Sequence, residues 1–124
     1  RDRASANTGP AWNASGSSNI YVAAGSNIQK ITDNGGSGSV IWTYGAGASV
    51  ESGPIVMNNI VYFGRSDGRY YAIRDNGASC GGLVANWPFT AASGNSNTGP
   101  WIDVVHSLVI FATTGQNIDA FTLE

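Results

Sequence analysis

Gly-Pro occurs three times, at Gly9-Pro10, Gly53-Pro54 and Gly99-Pro100, and the intervals of 44 and 46 residues constrain the fold more than any other feature of the chain. Self-similarity at this length means stacked supersecondary units, none of which buries its apolar face alone. At a constant offset of 90 residues the third segment overlies the first without a gap. Asn7-Thr8-Gly9-Pro10 falls on Asn97-Thr98-Gly99-Pro100, Ser17 on Ser107, Ile20 on Ile110, Gly25 on Gly115, and Asn27-Ile28 on Asn117-Ile118. The middle segment joins this scheme with small loop changes. Trp42 and Trp87 stand 45 apart, as do Tyr44 and Phe89, and Asp33-Asn34-Gly35 and Asp75-Asn76-Gly77 mark one equivalent turn.

Within one unit the plan is constant. After Gly53-Pro54 come a short strand ("PIVM"), a turn at Asn58-Asn59, an apolar strand ("IVYFG"), a turn at Asp67-Gly68 and a third strand ("RYYAIRD"). Aromatic and β-branched runs on both sides of Ser66-Asp67-Gly68 are the local signature of a β-hairpin. The Asp-Asn-Gly turn then leads to an outer strand carrying the tryptophan, "VIWTY" in the first unit and "VANWPF" in the second. Four antiparallel strands in about 45 residues have the size and plan of a propeller blade. No segment keeps an apolar period of 3.6, whereas several alternate at period two, so the predicted fold is all-β with no helix longer than about two turns. The expected architecture is a partial β-propeller, one repeat domain over residues 1–124. Its four-stranded units run from 9 to 52, from 53 to 98 and from 99 to 124, the last incomplete. The predicted core is Ile20, Val22, Ile28, Ile31, Trp42, Ile55, Val61, Phe63, Tyr71, Ile73, Trp87, Val109, Phe111, Ile118 and Phe121.

The stretch "GPIVMNNIVYFGRSDGRYYAIRDNGA" resembles the repeat of pyrroloquinoline-quinone-type propellers, the quinoprotein-like family. There a Gly-Pro or Ser-Pro start, a "VYxGxxDGxxYA" hairpin, an Asp-x-x-x-Gly turn and a Trp on the outer strand recur. The middle unit is a close match and the outer two match in outline, so the resemblance covers nearly the whole chain. It implies a fold more than an activity. Members include quinoprotein dehydrogenases, an outer-membrane assembly lipoprotein that binds no cofactor, and modules of pilus-associated and other surface proteins. For a dehydrogenase the resemblance implies a vicinal Cys pair against the quinone and a carboxylate holding calcium. This chain has one cysteine, Cys80.

Charge is scarce, six Lys or Arg against eight Asp or Glu for a net of -2, which gives no basic footprint for nucleic acid and no polybasic membrane anchor. No apolar stretch approaches the roughly 20 residues of a membrane span. Low charge, many Asn, Ser and Gly, and a lone cysteine point to an exported bacterial protein, periplasmic or extracellular at the cell surface. The start at Arg1 fits a mature form as well as a piece of a longer chain. Cys80 has no disulfide partner and no cationic neighbour in sequence to lower its pKa. Asp67 and Asp119 stand at or just after hairpin turns, where Asp bonds the local backbone. His106 falls in a turn between two strands with no Ser-His-Asp or multi-His spacing around it. The glycines at 45, 47, 64 and 68 follow strands and open no helix, so no phosphate loop is present.

These readings leave no catalytic, metal-binding or cofactor-binding residue and no expected cofactor. Trp12 and Trp101, which stand just after Gly-Pro at neighbouring repeat positions, are the candidate ligand or partner contacts; core packing is the competing role for both. The expected function is a non-enzymatic structural or protein-interaction module that associates with copies of itself or with a partner subunit. Alternatives are a pilus- or filament-associated surface subunit, a fragment of a quinoprotein dehydrogenase, and a glycan-binding propeller. In the self-associating version, "RDRASANT" of one chain supplies an outer strand to another. Because an unpaired buried charge costs several kcal/mol against a total stability of similar size, Val61→Asp should abolish cooperative thermal unfolding. A soluble variant with a sharp melting transition would show that Val61 faces water.

Overall fold

The computed structural model describes residues 11–12, 19–96 and 99–124. Among these residues the chain forms twelve strands in three antiparallel sheets and no helix. The first sheet takes β1 (Ala11–Trp12), β2 (Asn19–Ala24), β3 (Asn27–Asp33) and β4 (Gly38–Gly45) in chain order. In the second, β5 (Ile55–Met57), β6 (Ile60–Gly64) and β7 (Arg69–Asp75) are followed by β8 (Cys80–Leu83) and β9 (Phe89–Thr90), both of which pair with β7. The third contains β10 (Trp101–Asp103), β11 (Leu108–Ala112) and β12 (Ile118–Thr122). The segment "RDRASANT" lies outside the described residues.

Turn chemistry explains the hairpins. Asn58 and Asn59 adopt φ of 53° and 62°, the pair of left-handed residues that a two-residue hairpin favours. At the β6–β7 turn the Gly68 N–H donates to the Arg65 carbonyl at 2.9 Å, with Gly68 at φ 83°. A Cβ at Gly68 would stand 2.4 Å from the Gly94 carbonyl oxygen. Both the backbone conformation and the close approach therefore demand glycine.

The three sheets stack face to face with the second in the middle. β6 is buried at every position, which is why "IVYFG" reads as a continuous apolar run, while β11 alternates because only one face of its sheet is covered. Between the first and second sheets lie Tyr21, Ile28, Trp42, Val61, Phe63, Tyr71 and Ile73. Between the second and third lie Tyr62, Tyr70, Trp87, Val109 and Phe111, with Phe89 and Phe121 against them. Stacked and tilted aromatic pairs span this second layer, Tyr70 and Phe111 at 4.4 Å and Phe89 and Phe121 at 4.5 Å between ring centroids.

Of the predicted core, Ile20, Ile31, Ile55 and Phe121 are only partly buried, and Ile118 is 76% exposed. The cause is one residue of loop. The loop joining paired Ala23 and Ile28 holds four residues, and that joining paired Ala112 and Ile118 holds five. The constant offset therefore keeps β12 in phase with β3 but slips β11 by one position against β2, and a one-residue slip changes the face of every side chain. Tyr21 and Ile110, not Ile20 and Ile110, are the equivalent pair: they lie opposite Lys30 and Ala120 respectively. Trp87 also departs from expectation. It lies in a break between β8 and β9, ahead of a cis bond to Pro88, whereas Trp42 is on β4.

Gly68→Ala should lose about 2 kcal/mol or more in urea unfolding, from left-handed strain plus the clash with Gly94. Gly77→Ala, at a similar φ of 88° with nothing within 4 Å, should lose only about 1 kcal/mol. Equal losses would mean that the Gly94 carbonyl yields freely.

Candidate functional site

The buried charges gather at the first interface. Lys30 and Asp75 are 5% and 6% exposed, and Lys30 Nζ stands 3.1 Å and 2.9 Å from the two carboxylate oxygens. Charges so placed persist only when paired and hydrogen-bonded. Asp75 also accepts from the Tyr21 hydroxyl, from Trp42 Nε1 at 3.1 Å and from the Gly77 N–H of its own turn at 2.9 Å. Lys30 gives a further bond to the Gly77 carbonyl at 2.8 Å. Burial pushes the Asp75 carboxyl up, but the bonds from Tyr21, Lys30, Trp42 and Gly77 outweigh it and hold the group below its ordinary value. With its acceptor capacity taken up from four residues, Asp75 works as a lock between sheets.

The second interface repeats the device. Trp87 Nε1 donates to the Glu124 carboxylate at 3.2 Å, and the Glu124 N–H donates to the Tyr62 hydroxyl at 2.9 Å. Tyr70 donates to Asp119 at 2.7 Å, and burial, then that bond, push the Tyr70 hydroxyl up. Near the hairpin tips Arg65, almost fully buried, donates to the Ala46 carbonyl at 2.6 Å, to the Tyr71 hydroxyl at 2.7 Å and to Asp67. Sequence reasoning had given both tryptophans to packing alone, and Lys30 to no role.

The structure puts the sequence-nominated residues in separate places. Trp12 lies on β1 opposite Ile20, and its side chain falls outside the described residues. Trp101 lies on β10 opposite Ile110 and is 71% exposed. His106 occupies the expected turn, its Nδ1 2.8 Å from Asp103, and that contact holds the Asp103 carboxyl below its usual range. Burial pushes the Cys80 thiol up, away from a reactive thiolate. Asp67 pairs with Arg65 and Asp119 crosses to Tyr70, so neither acts through the local backbone alone. Among the described residues no three His, Cys, Asp or Glu come together as metal ligands, and no helix is long and apolar enough to cross a membrane.

What remains is a surface. The face of the third sheet that points away from the second carries a cross-strand row of Trp101, Ile110 and Ala120, flanked by Leu108 and by Ile118. At the adjoining β10–β11 turn Val105 is 87% exposed. Tyr21 and Tyr62 hold the corresponding positions in the other sheets and are both buried under the sheet that follows.

No protein-family model and no curated protein matches the chain. Solved structures do. BamB from Moraxella catarrhalis matches at 15% identity with a TM-score of 0.73, over 94% of this chain and 33% of that one. The chain thus spans about a third of the length of BamB. The computationally designed Ika4 protein is 9% identical with a TM-score of 0.49, over 100% of this chain and 94% of that one, and carries no argument at that distance. The likeness to BamB concerns fold: the three stacked sheets are part of a β-propeller.

A carboxyl whose folded pKa is depressed contributes stability above its unfolded value, near 3.8 for Asp75, and loses it as the pH falls through the lower folded value. Asp75→Asn should therefore unfold about 3 kcal/mol more easily at pH 7, since it leaves Lys30 buried and unpaired. The gap to the unsubstituted chain should narrow below about pH 4. A gap in urea unfolding that stays constant from pH 7 to pH 3 would show that Asp75 is not ionised in the lock.

Proposed function

We propose that the chain is a non-enzymatic structural and protein-interaction module, joining another protein chain through the open face of the third sheet. One observation carries this reading. Trp101, Ile110, Ile118, Leu108 and Ala120 form a contiguous apolar surface on a sheet whose two neighbours both have the equivalent face covered. Apolar patches rimmed by polar residues mark association sites. Trp101 is the natural anchor, as a large aromatic able to desolvate at the centre of a contact. The partner is a copy of the chain or another subunit, and the low charge makes apolar and aromatic contact the recognition chemistry. Low charge and a single thiol agree with a periplasmic or cell-surface setting. The repeat boundaries after residues 52 and 98 fit the same reading, each repeat supplying one sheet.

Light scattering tests it. The intact chain should show a mass that rises with concentration, and Trp101→Ser combined with Ile118→Asp should raise the dissociation constant by tenfold or more, on the order expected for an aromatic anchor. If both proteins are monomers at every concentration, the face is not an association surface.

A further inference from the structure

Sheet edges expose unpaired backbone groups, and proteins protect them with short strands, bulges, Pro or charge. The inner edge strands β1, β5 and β10 are only two or three residues long. On the outer side, β4 pairs with β3 through a register shift beside Ile41, and the flank of β7 is closed by β8 and β9 with Pro88 in the break between them. β12 has none of these devices. It is five residues long, pairs with β11 without a shift and contains neither Pro nor Lys.

Its open side has a counterpart within the chain. The Leu123 N–H donates inward to the Ser107 carbonyl at 2.9 Å, as the Asp75 N–H donates to Asn59 at 2.8 Å. By alternation, the backbone groups of Ile118, Ala120 and Thr122 then point outward. In the second sheet the equivalent outward carbonyl, that of Ala72, accepts from the Val84 N–H at 2.9 Å. In the first, Lys30 at this position lies opposite Trp42 of β4. Trp42 and Trp87 each bring an indole beside the tyrosine of their own sheet, 6.1 Å from Tyr21 and 6.0 Å from Tyr62. Ile110 holds that tyrosine position in the third sheet, in the row with Trp101 and Ala120.

We infer that the outer edge of β12 is a strand-addition site that takes an extended, aromatic-bearing segment of another polypeptide, antiparallel to Ile118–Thr122, with its aromatic ring laid on Ile110. Main-chain bonds at Ala120 and Thr122 supply affinity, and the apolar row selects the side chain that faces it. The inference rests on the interaction-module reading and names its partner more closely.

The probe is a synthetic peptide with the sequence of Gly38–Gly45, which carries Trp42, titrated into the intact, nitrogen-15-labelled chain. Saturable binding should slow amide exchange at Ala120 and Thr122 by about tenfold or more. Ala120→Pro removes only an outward N–H, which an edge strand tolerates, and should abolish the effect. Should that variant fail to fold, a peptide N-methylated on its β12-facing amides should fail to bind the unsubstituted chain. Absence of binding at about millimolar peptide, protection at other amides instead, or equal binding by the N-methylated peptide overturns the inference. Protection of Ala120 and Thr122 in concentrated protein alone also overturns it, because a second copy then fills the edge. The two readings fail separately. Association through Trp101 and Ile118 without peptide uptake removes the edge site only, and peptide uptake by a chain that never self-associates removes the open face only.

Discussion

A sheet with apolar side chains on both faces must be covered on both faces, and the middle sheet imposes that condition on everything around it. Every residue of β6 is buried, with Val61 and Phe63 turned to one neighbour and Ile60 and Tyr62 to the other. Such a strand does not survive as part of an isolated hairpin, because half of its apolar surface would remain in water. The first and third sheets are the covers. Their alternating strands follow from that position, since each needs only one apolar face to bury the middle sheet. An outer sheet that is apolar on its second face as well, as the third is, has more apolar surface than its place in this stack requires.

Hydrophobic contact alone is non-directional and does not fix how one sheet sits on the next. The polar groups at the interfaces supply direction. Lys30 extends from β3 into an otherwise apolar layer and finds its counter-charge at the end of β7. Any seating that moved the sheets by a strand spacing would leave that ammonium buried without a partner, at a cost of about 3–5 kcal/mol. Trp42 and Trp87 repeat the constraint with neutral donors, each reaching the carboxylate of the following sheet, Asp75 and Glu124. The carboxylates differ by one position in their sheets, and the longer Glu side chain bridges the difference.

The fold was legible in the sequence because its signals are local and periodic. The Gly-Pro spacing, the Asn58-Asn59 and Asp67-Gly68 turns and the period-two runs located β5, β6 and β7 almost to the residue. The face assignments were less legible, for a defined reason: offset matching counts residues along the chain, whereas a strand's face depends on parity, and one added loop residue between β11 and β12 reverses it. That is why Ile118 read as core. The interface locks were hidden because the turn-forming and ion-pairing roles of Asp75 use the same residue type in the same place. A lysine on an otherwise apolar strand was the available signal, and its partner, in a different repeat, lay beyond any local pattern. Trp101 was nominated correctly as a residue to examine, since its exposure follows from standing on the face that nothing among the described residues covers.

The added loop residue also decides the chemistry of the open face. Had β11 kept the parity suggested by the constant offset, Val109 and Phe111 would point outward, and Tyr70 would lose the ring it stacks on at 4.4 Å. With the actual parity, Phe111 and Phe121 serve the interior, and the outward row keeps one large aromatic, Trp101, beside the smaller Ile110, Ala120 and Ile118. A row with a ring at one end and small or branched side chains at the other leaves a shallow step over Ala120. In the first sheet the ring of Trp42 lies opposite Lys30, the residue equivalent to Ala120, and reaches Tyr21 at the Ile110 position. The step is thus the place where this architecture seats an indole. An aromatic side chain arriving on a strand beside β12 meets a surface whose shape is already set by the parity of the loop that precedes it.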